Sequence, residues 1–247
     1  MGGAIAAGLA SSSLADTREI IVSNPSKGKL EALKSAFPKI SLTCDNAEAV
    51  SGADIVIIAV KPWVLPELLS SLPLVQGQIL VSVAAGISFD QLALYSGKPG
   101  MTMFIIIPNT AIKEKESMTL ISCRNASKSQ ILQIKALFDE LGRTLIVSED
   151  SLAAGTSLAS CGIAYVLEYI RAAEKAGTEM GLEPETAREL AAQACKGAAS
   201  LILDKDTEPS IEIKKVCTPG GLTIKGINEL ESRGFASVVI EAMKKSI

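Results

Sequence analysis

The sequence predicts an α/β protein: a Rossmann-like N-terminal domain, doubly wound around a mostly parallel sheet, followed by an all-helical C-terminal domain. Three observations predict it. Up to about residue 148, short β-branched runs alternate with helical patterns. One of those runs, ADIVIIAV (53–60), is apolar throughout, as a strand covered by helices on both faces must be. After Glu149-Asp150 the strand signals stop and the composition turns helical. The expected domains are therefore 1–148, binding a dinucleotide, and 149–247, helical.

The elements follow in order. MGGAIAAGL opens a helix of small residues, and REIIVS (18–23) reads as a strand followed by a polar turn and the helix of KGKLEAL. Further strands are expected at SLTC (41–44), ADIVIIAV (53–60), QILVSVA (78–84), MTMFIII (101–107), SMTLISC (117–123) and RTLIVS (143–148). Residues 151–180 form one long Ala-rich helical pattern that ends at Gly181. Pro184 suits the first turn of a second helix running to about Asp204. The loop DTEPS (206–210), a short helical segment, VCTPGGLT, IKGINELESR up to Gly234 and a final helix from Phe235 to Lys244 complete the chain.

Composition removes several function classes. The chain has 247 residues, a net charge of −3 and scattered Lys and Arg, so it carries no electrostatic footprint for nucleic acid or an anionic membrane. No apolar run is long enough to span a bilayer, and the start lacks the layout of a signal peptide. Five widely spaced cysteines without a CxxC argue against a disulfide framework or a zinc site and fit a reducing cytoplasm. There is no histidine, which excludes Ser-His-Asp and Cys-His nucleophile systems, His-ligated metals and a His acid/base; no metal is expected.

The motifs gather at predicted strand ends. A dinucleotide-binding unit runs strand, G-x-G-x-x-G, helix, and its third glycine lets the helix pack on the strand. Gly2 is either that third glycine or one of two start-site residues ahead of an ordinary helix. The second strand of such a unit usually ends in an acid that binds the ribose 2′-hydroxyl of NAD. Here Ser23, Asn24, Pro25, Ser26 and Lys27 stand instead, a set that suits a 2′-phosphate and hence NADP, or else forms a surface turn with Ser26 as N-cap. Ala59, Val60, Lys61 and Pro62 end the buried strand, and Lys61 is either a crevice residue or a solvated loop lysine. SVAAGIS, with Ala85 and Gly86, and IPNTA, with Asn109, stand at two more strand ends, so that three such ends outline one cofactor crevice. CTPGGLT (217–223) exposes backbone N–H groups just before a helix, suiting a carboxylate or phosphate, or is a plain interhelical turn.

In this order the motifs MGGAIAAGL, AVKPW, SVAAGIS, IPNTA, SCGIAY, EMGLEPETARELAAQACKGAASLIL and VCTPGGLTIKGINELESRGF resemble the pyrroline-5-carboxylate reductase family over essentially the whole chain. The resemblance implies reduction of 1-pyrroline-5-carboxylate to L-proline, the last step of proline biosynthesis, by hydride from NADPH, with NADH possible. It implies a helical domain that forms a homodimer or a larger homo-oligomer. It places Thr223 beside the imine nitrogen as the catalytic residue, gives the substrate carboxylate to Thr218 and the Gly220-Gly221 amides, and sets Asn46, Lys61, Pro62 and Asn109 along the cofactor cleft. The chain departs from the family pattern where GSGPAY reads SCGIAY, with Ser160, Cys161 and Ile163, where an Arg is replaced by Ile105, and where SPGGTT reads CTPGGLT. Met1 matches the methionine of the family's G-x-G-N-M-G, so the expected first strand and two glycines would precede it. The alternatives are a related NADP-dependent 2-hydroxyacid or ketoacid reductase, whose catalytic lysine would have to be Lys175, and a non-catalytic dinucleotide-binding protein.

Overall fold

A strand forms at each of the seven expected places. The computed structural model describes residues 1–13, 16, 19–205 and 207–247. The expected strand 18–23 begins at Arg18 and the expected loop 206–210 at Asp206, and both residues lie outside the described ones. The chain divides into two compact units, Met1–Ser160 and Cys161–Ile247.

In the first unit the elements are α1 (Gly2–Ala10), β1 (Ile21–Ser23), α2 (Lys27–Ala36), β2 (Ser41–Thr43), α3 (Asn46–Val50), β3 (Ile55–Ile58), α4 (Leu65–Ser71), β4 (Ile79–Ser82), α5 (Phe89–Ser96), β5 (Thr102–Ile107), β6 (Ser117–Arg124), α6 (Lys128–Asp139), β7 (Gly142–Ile146) and α7 (Leu152–Gly155). Local chemistry sets several boundaries. Ser88 and Gln91 form a capping box at the start of α5, Ser127 and Gln130 form another at α6, and Gly97 closes α5 in the left-handed conformation. The apolar run 53–60 pairs only over β3, because the chain leaves the ladder for a 3₁₀ turn at Pro62–Val64.

Strands β3-β4-β5-β6-β7 make one sheet, parallel except for the antiparallel β5–β6 pair. Alternation along β5 shows why its run is apolar throughout. Met103, Ile105 and Ile107 pack on one face with Leu65, Leu69, Phe89 and Leu92 of α4 and α5. Phe104 and Ile106 pack on the other with Ile5 and Leu9 of α1 and Ile134 and Phe138 of α6. Both faces are covered, so no polar side has to be provided.

Strands β1 and β2 pair in parallel as a separate two-stranded ladder. Among the described residues no ladder joins β1 to β3. In a doubly wound sheet of strand order 3-2-1-4-5-6, β2-β1 take the places 3-2 and β3-β4 the places 4-5, so the break falls at the place of strand 1. Ile55 and Ile57 of β3 are accordingly half-buried, whereas every residue of β4 is buried.

The single helix expected over 151–180 is three pieces: α7, a π turn at Thr156–Cys161, and α8 (Gly162–Glu179). A run of small residues does not register a turn that is wider by one residue, so the pattern alone could not show it. Residues 149–160 group with the first unit rather than the helical one. Leu152 packs on the β-sheet core, and Gly155 lies so near β6 that a Cβ there would come within 2.5 Å of Leu120 Cδ1.

The second unit continues with α9 (Pro184–Lys205), α10 (Pro209–Val216), α11 (Leu222–Ser232) and α12 (Phe235–Lys244). Helices α8 and α9 form a hairpin that turns at Gly181 and closes where Gly177 meets Ala187. Tyr165 on α8 hydrogen-bonds Ser246 after α12. Among the described residues of this unit only Gly162, Gly177 and Ala187 are buried. Val166, Leu167, Leu190, Ile213, Val238 and Ile240 are all exposed. Such a set of apolar faces is far more than a soluble helical unit normally leaves to water.

Candidate active site

The expected nucleotide end begins with α1. A Cβ on Gly2 would stand 2.8 Å from the Ala59 Cβ, closer than side chains approach, so the first turn of α1 touches the end of β3 only because residue 2 is glycine. That contact is the helix-on-strand packing required of the third glycine in a dinucleotide fingerprint. Gly2 thus acts through packing, and Ala59 is its partner.

Ser23 at the end of β1 and Asn46 at the start of α3 are brought together: the Ser23 hydroxyl donates to Asn46 Oδ1 at 2.7 Å. This fixes the Asn46 amide with its NH₂ group free to donate to a phosphate. Asn24 Oδ1 accepts from the Ser26 backbone N–H at 2.9 Å, shaping the turn into α2, whose first residue is the exposed Lys27. The neighbouring carboxylate, Asp45, is occupied as the N-cap of α3, accepting from the N–H groups of Ala47 and Glu48. Neutral donors and a lysine therefore stand where an NAD-selective acid would be.

At the other strand ends the sequence-predicted residues divide. Val60 is half-buried against the core, and Lys61 is exposed with its Nζ 5.9 Å from the centre of the Trp63 ring, just before the 3₁₀ turn that opens at Pro62. Ala85 and Gly86 are exposed in the loop after β4, with Gly86 at φ +73°. Asn109 is turned inward. It is 5% exposed, Oδ1 accepts from the Ala111 N–H at 3.0 Å, and Nδ2 donates to the Ala159 carbonyl at 3.1 Å. Both ends of its amide are used inside the protein, because it caps the 3₁₀ turn Thr110–Glu114 and ties that turn to the segment leading into α8.

In the helical unit, Thr218-Pro219-Gly220-Gly221 form a tight turn closed by the Gly221 N–H donating to the Thr218 carbonyl at 3.0 Å. Pro219 and a Gly220 at φ +73° are what a type II turn requires. The Gly221 amide is therefore taken within the turn and does not point to a ligand, contrary to the expected pairing of both glycine amides with a carboxylate. Helix α11 starts at Leu222 with no side-chain cap and no acid in its first turn, which leaves its leading N–H groups to an anion. Thr223 is exposed in that first turn, and its hydroxyl has no hydrogen bond among the described residues. Just before the turn, the Lys215 ammonium, 2.6 Å from Glu212, holds the Glu212 carboxyl below its ordinary range.

Volume does not mark this site. Two cavities, of about 320 and 530 Å³, lie along α1 and beside Phe37; the larger is lined by Met1 and Gly3 on either side of Gly2, and neither is lined by Ser23, Lys61, Gly86 or Asn109. Among the described residues no group of His, Cys, Asp or Glu could hold a metal ion.

The helical region, 149–247, matches the model of the pyrroline-5-carboxylate reductase dimerisation domain, and residues 1–86 match that of the NADP oxidoreductases, coenzyme F420-dependent. Pyrroline-5-carboxylate reductase 2 of Bacillus subtilis is 31% identical over 242 residues, an alignment that takes in 97% of this chain and 86% of the relative. The chain belongs to the pyrroline-5-carboxylate reductase family. Pyrroline-5-carboxylate reductase 1 of Dictyostelium discoideum is 35% identical across the full chain, which spans 47% of that longer relative. The crystal structure of 1-pyrroline-5-carboxylate reductase from Streptococcus pyogenes superposes with a TM-score of 0.86 at 28% identity, covering 98% of this chain and 91% of that one.

Within the pyrroline-5-carboxylate reductase family, this chain is an NAD(P)H-dependent oxidoreductase. Two of its departures from the family pattern have a structural setting. Ile105 lies fully buried in β5, where an arginine would be without solvent. Cys161 closes the π turn, and Ile163 falls in the first turn of α8. The lysine that a hydroxyacid reductase would need, Lys175, lies on the exposed face of α8, 3.9 Å from Glu179. Burial pushes the Cys123 thiol up, which makes it less reactive.

Proposed function

We propose that this chain reduces 1-pyrroline-5-carboxylate to L-proline with NADPH, through the residues assembled above. A protonated imine is already an electrophile, so the reaction needs positioning more than strong acid/base groups, and a chain without histidine suffices. When bound, NADPH supplies the hydride that reaches the C=N carbon. The substrate carboxylate is held by the leading N–H groups of α11 and the Thr218 hydroxyl. Thr223, one residue into that helix, hydrogen-bonds the ring nitrogen and fixes its orientation; its hydroxyl is a poor acid, so it orients first and relays a proton second. Asn46, Lys27 and Lys61 take the cofactor phosphates and ribose, with the 2′-phosphate favoured by the absence of a free acid after β1.

The single observation that carries this reading is the unhydrogen-bonded Thr223 on the uncapped first turn of α11, directly after the Pro219-Gly220 turn. We place the protein in a reducing compartment, the cytoplasm, in keeping with its five free cysteines. It works as a homodimer through the exposed apolar faces of its helices, with no nucleic-acid partner. Among the described residues no helix is long and apolar enough to cross a membrane.

The test is NADPH oxidation with pyrroline-5-carboxylate, read at the nicotinamide absorbance. Thr223→Val is expected to lower kcat on the order of 100-fold while KM for NADPH stays within about twofold. Folded, dimeric wild-type protein without imine-dependent oxidation would sink the reading. Full activity in the Thr223→Val variant would remove Thr223 from it.

A further inference from the structure

Asn109 is buried where a cofactor cleft residue should be open, and its side chain reaches across 50 residues to Ala159. Its position is fixed from three sides. Its backbone N–H donates to the Ser117 hydroxyl at 3.1 Å, Ser117 in turn shares a 2.9 Å hydrogen bond with Thr119, and both hydroxyls are buried on β6. Oδ1 is held by the Ala111 N–H, which points Nδ2 at the Ala159 carbonyl. Ala159 lies inside the π turn Thr156–Cys161. A π turn is wider than an α turn by one residue, so it is intrinsically poorer in hydrogen-bond geometry and persists only when something outside the helix supports it.

We propose that Asn109 is a positioning residue, the latch that keeps the turn at Thr156–Cys161 in its π form and so sets the phase of the Ser160-Cys161-Gly162-Ile163-Ala164-Tyr165 segment. Narrowing the turn to an α turn would rotate the following residues by about 100° about the helix axis. Asn109 meets the need because it offers an acceptor to Ala111 and a donor to Ala159 from one planar group; no apolar or acceptor-only side chain does both.

This role leads to a specific chemical test with Asn109→Asp. An ionised carboxylate still accepts from Ala111 but turns an acceptor toward the Ala159 carbonyl. A protonated carboxyl accepts from Ala111 and donates to Ala159, restoring the latch. Burial raises the pKa of that carboxyl above the ordinary Asp value of about 3.9. The side chains of Ala111, Ser117 and Ala159, its hydrogen-bond partners, carry no titratable charge.

The measurement is amide hydrogen exchange of residues 156–165, variant against wild type at each pH between about 5.5 and 8.5, together with kcat for the imine. At the alkaline end Asn109→Asp is expected to exchange at least about tenfold faster than wild type in this segment and to lose kcat by a comparable factor. Both ratios should return toward one as pH falls, while Asn109→Leu stays fast at every pH. The catalytic half rests on the reductase reading, whereas the exchange half holds or fails independently of any activity. Equal exchange in variant and wild type overturns the latch, as does a pH-independent difference in Asn109→Asp. Failure of that variant to fold at every pH overturns a local role. A raised KM for NADPH with kcat and exchange unchanged would return Asn109 to the cofactor cleft.

Discussion

Two glycines show how a single missing Cβ serves different ends. Gly2 touches Ala59 at the nucleotide end, and Gly142, at φ +138°, faces Ser117 so closely that a Cβ would stand 2.2 Å from its carbonyl oxygen. At Gly142 the obstacle is backbone in a ladder and the conformation is one L residues avoid, so neither side gives way. Gly142→Ala is expected to destabilise the first unit by about 3 kcal/mol or more, read as a loss of Tm or denaturant midpoint, with KM for NADPH unchanged in the protein that remains folded. At Gly2 the obstacle is one methyl, and α1 moves by a few tenths of an ångström at its first turn. Gly2→Ala is therefore expected to raise KM for NADPH severalfold with only a small loss of Tm, because it displaces the helix end that the proposed function sets against the phosphates. Equal effects of both substitutions on KM would remove the distinction.

At the scale of elements, the strands and most helix ends were legible because each has a local cause. Alternating coverage makes β5 apolar, and Gly181 and Gly234 adopt the positive φ values that stop helices. The final helix, expected from Phe235 to Lys244, has those bounds. The π turn was not legible, since its support comes from Asn109, 50 residues away. The site was legible in part for the same reason. Gly2 packs at the strand end and Ser23 meets Asn46, because glycine and small polar residues at strand ends carry their own geometry, while the inward hydrogen bond of Asn109 was hidden because its partner, Ala159, is remote in sequence. Helix α10 makes its own prediction. Its Glu212 has a carboxyl held low, first by the hydrogen bond from Lys215, so the stabilisation is fully present above the unfolded value of about 4.3 and is lost as pH falls through the lower folded value. Glu212→Gln should lower Tm slightly at neutral pH and match wild type at the acid end. A Tm difference that grows toward low pH would contradict this sign.

Across the whole first unit, the doubly wound sheet is divided between β1 and β3 among the described residues. Among the described residues both are parallel strands with no ladder toward the break, and central parallel strands are normally paired on both sides. Ile20, Ile55 and Ile57 all lie against the core that α1 covers, so one apolar extended segment between them would meet an apolar floor and two rows of ladder groups. We therefore expect that a version of the chain extended at Met1 by an extended apolar segment of about five residues and a Gly-x-Gly turn becomes more stable and binds NADPH more tightly. A shift in Tm of several degrees and a fall in KM for NADPH by about tenfold or more would support pairing at the break. A scrambled extension of the same composition, with charged residues alternating in the strand, should produce neither. If both extensions act alike, or neither does, the break is closed by some other means and the edges of β1 and β3 are not a strand site.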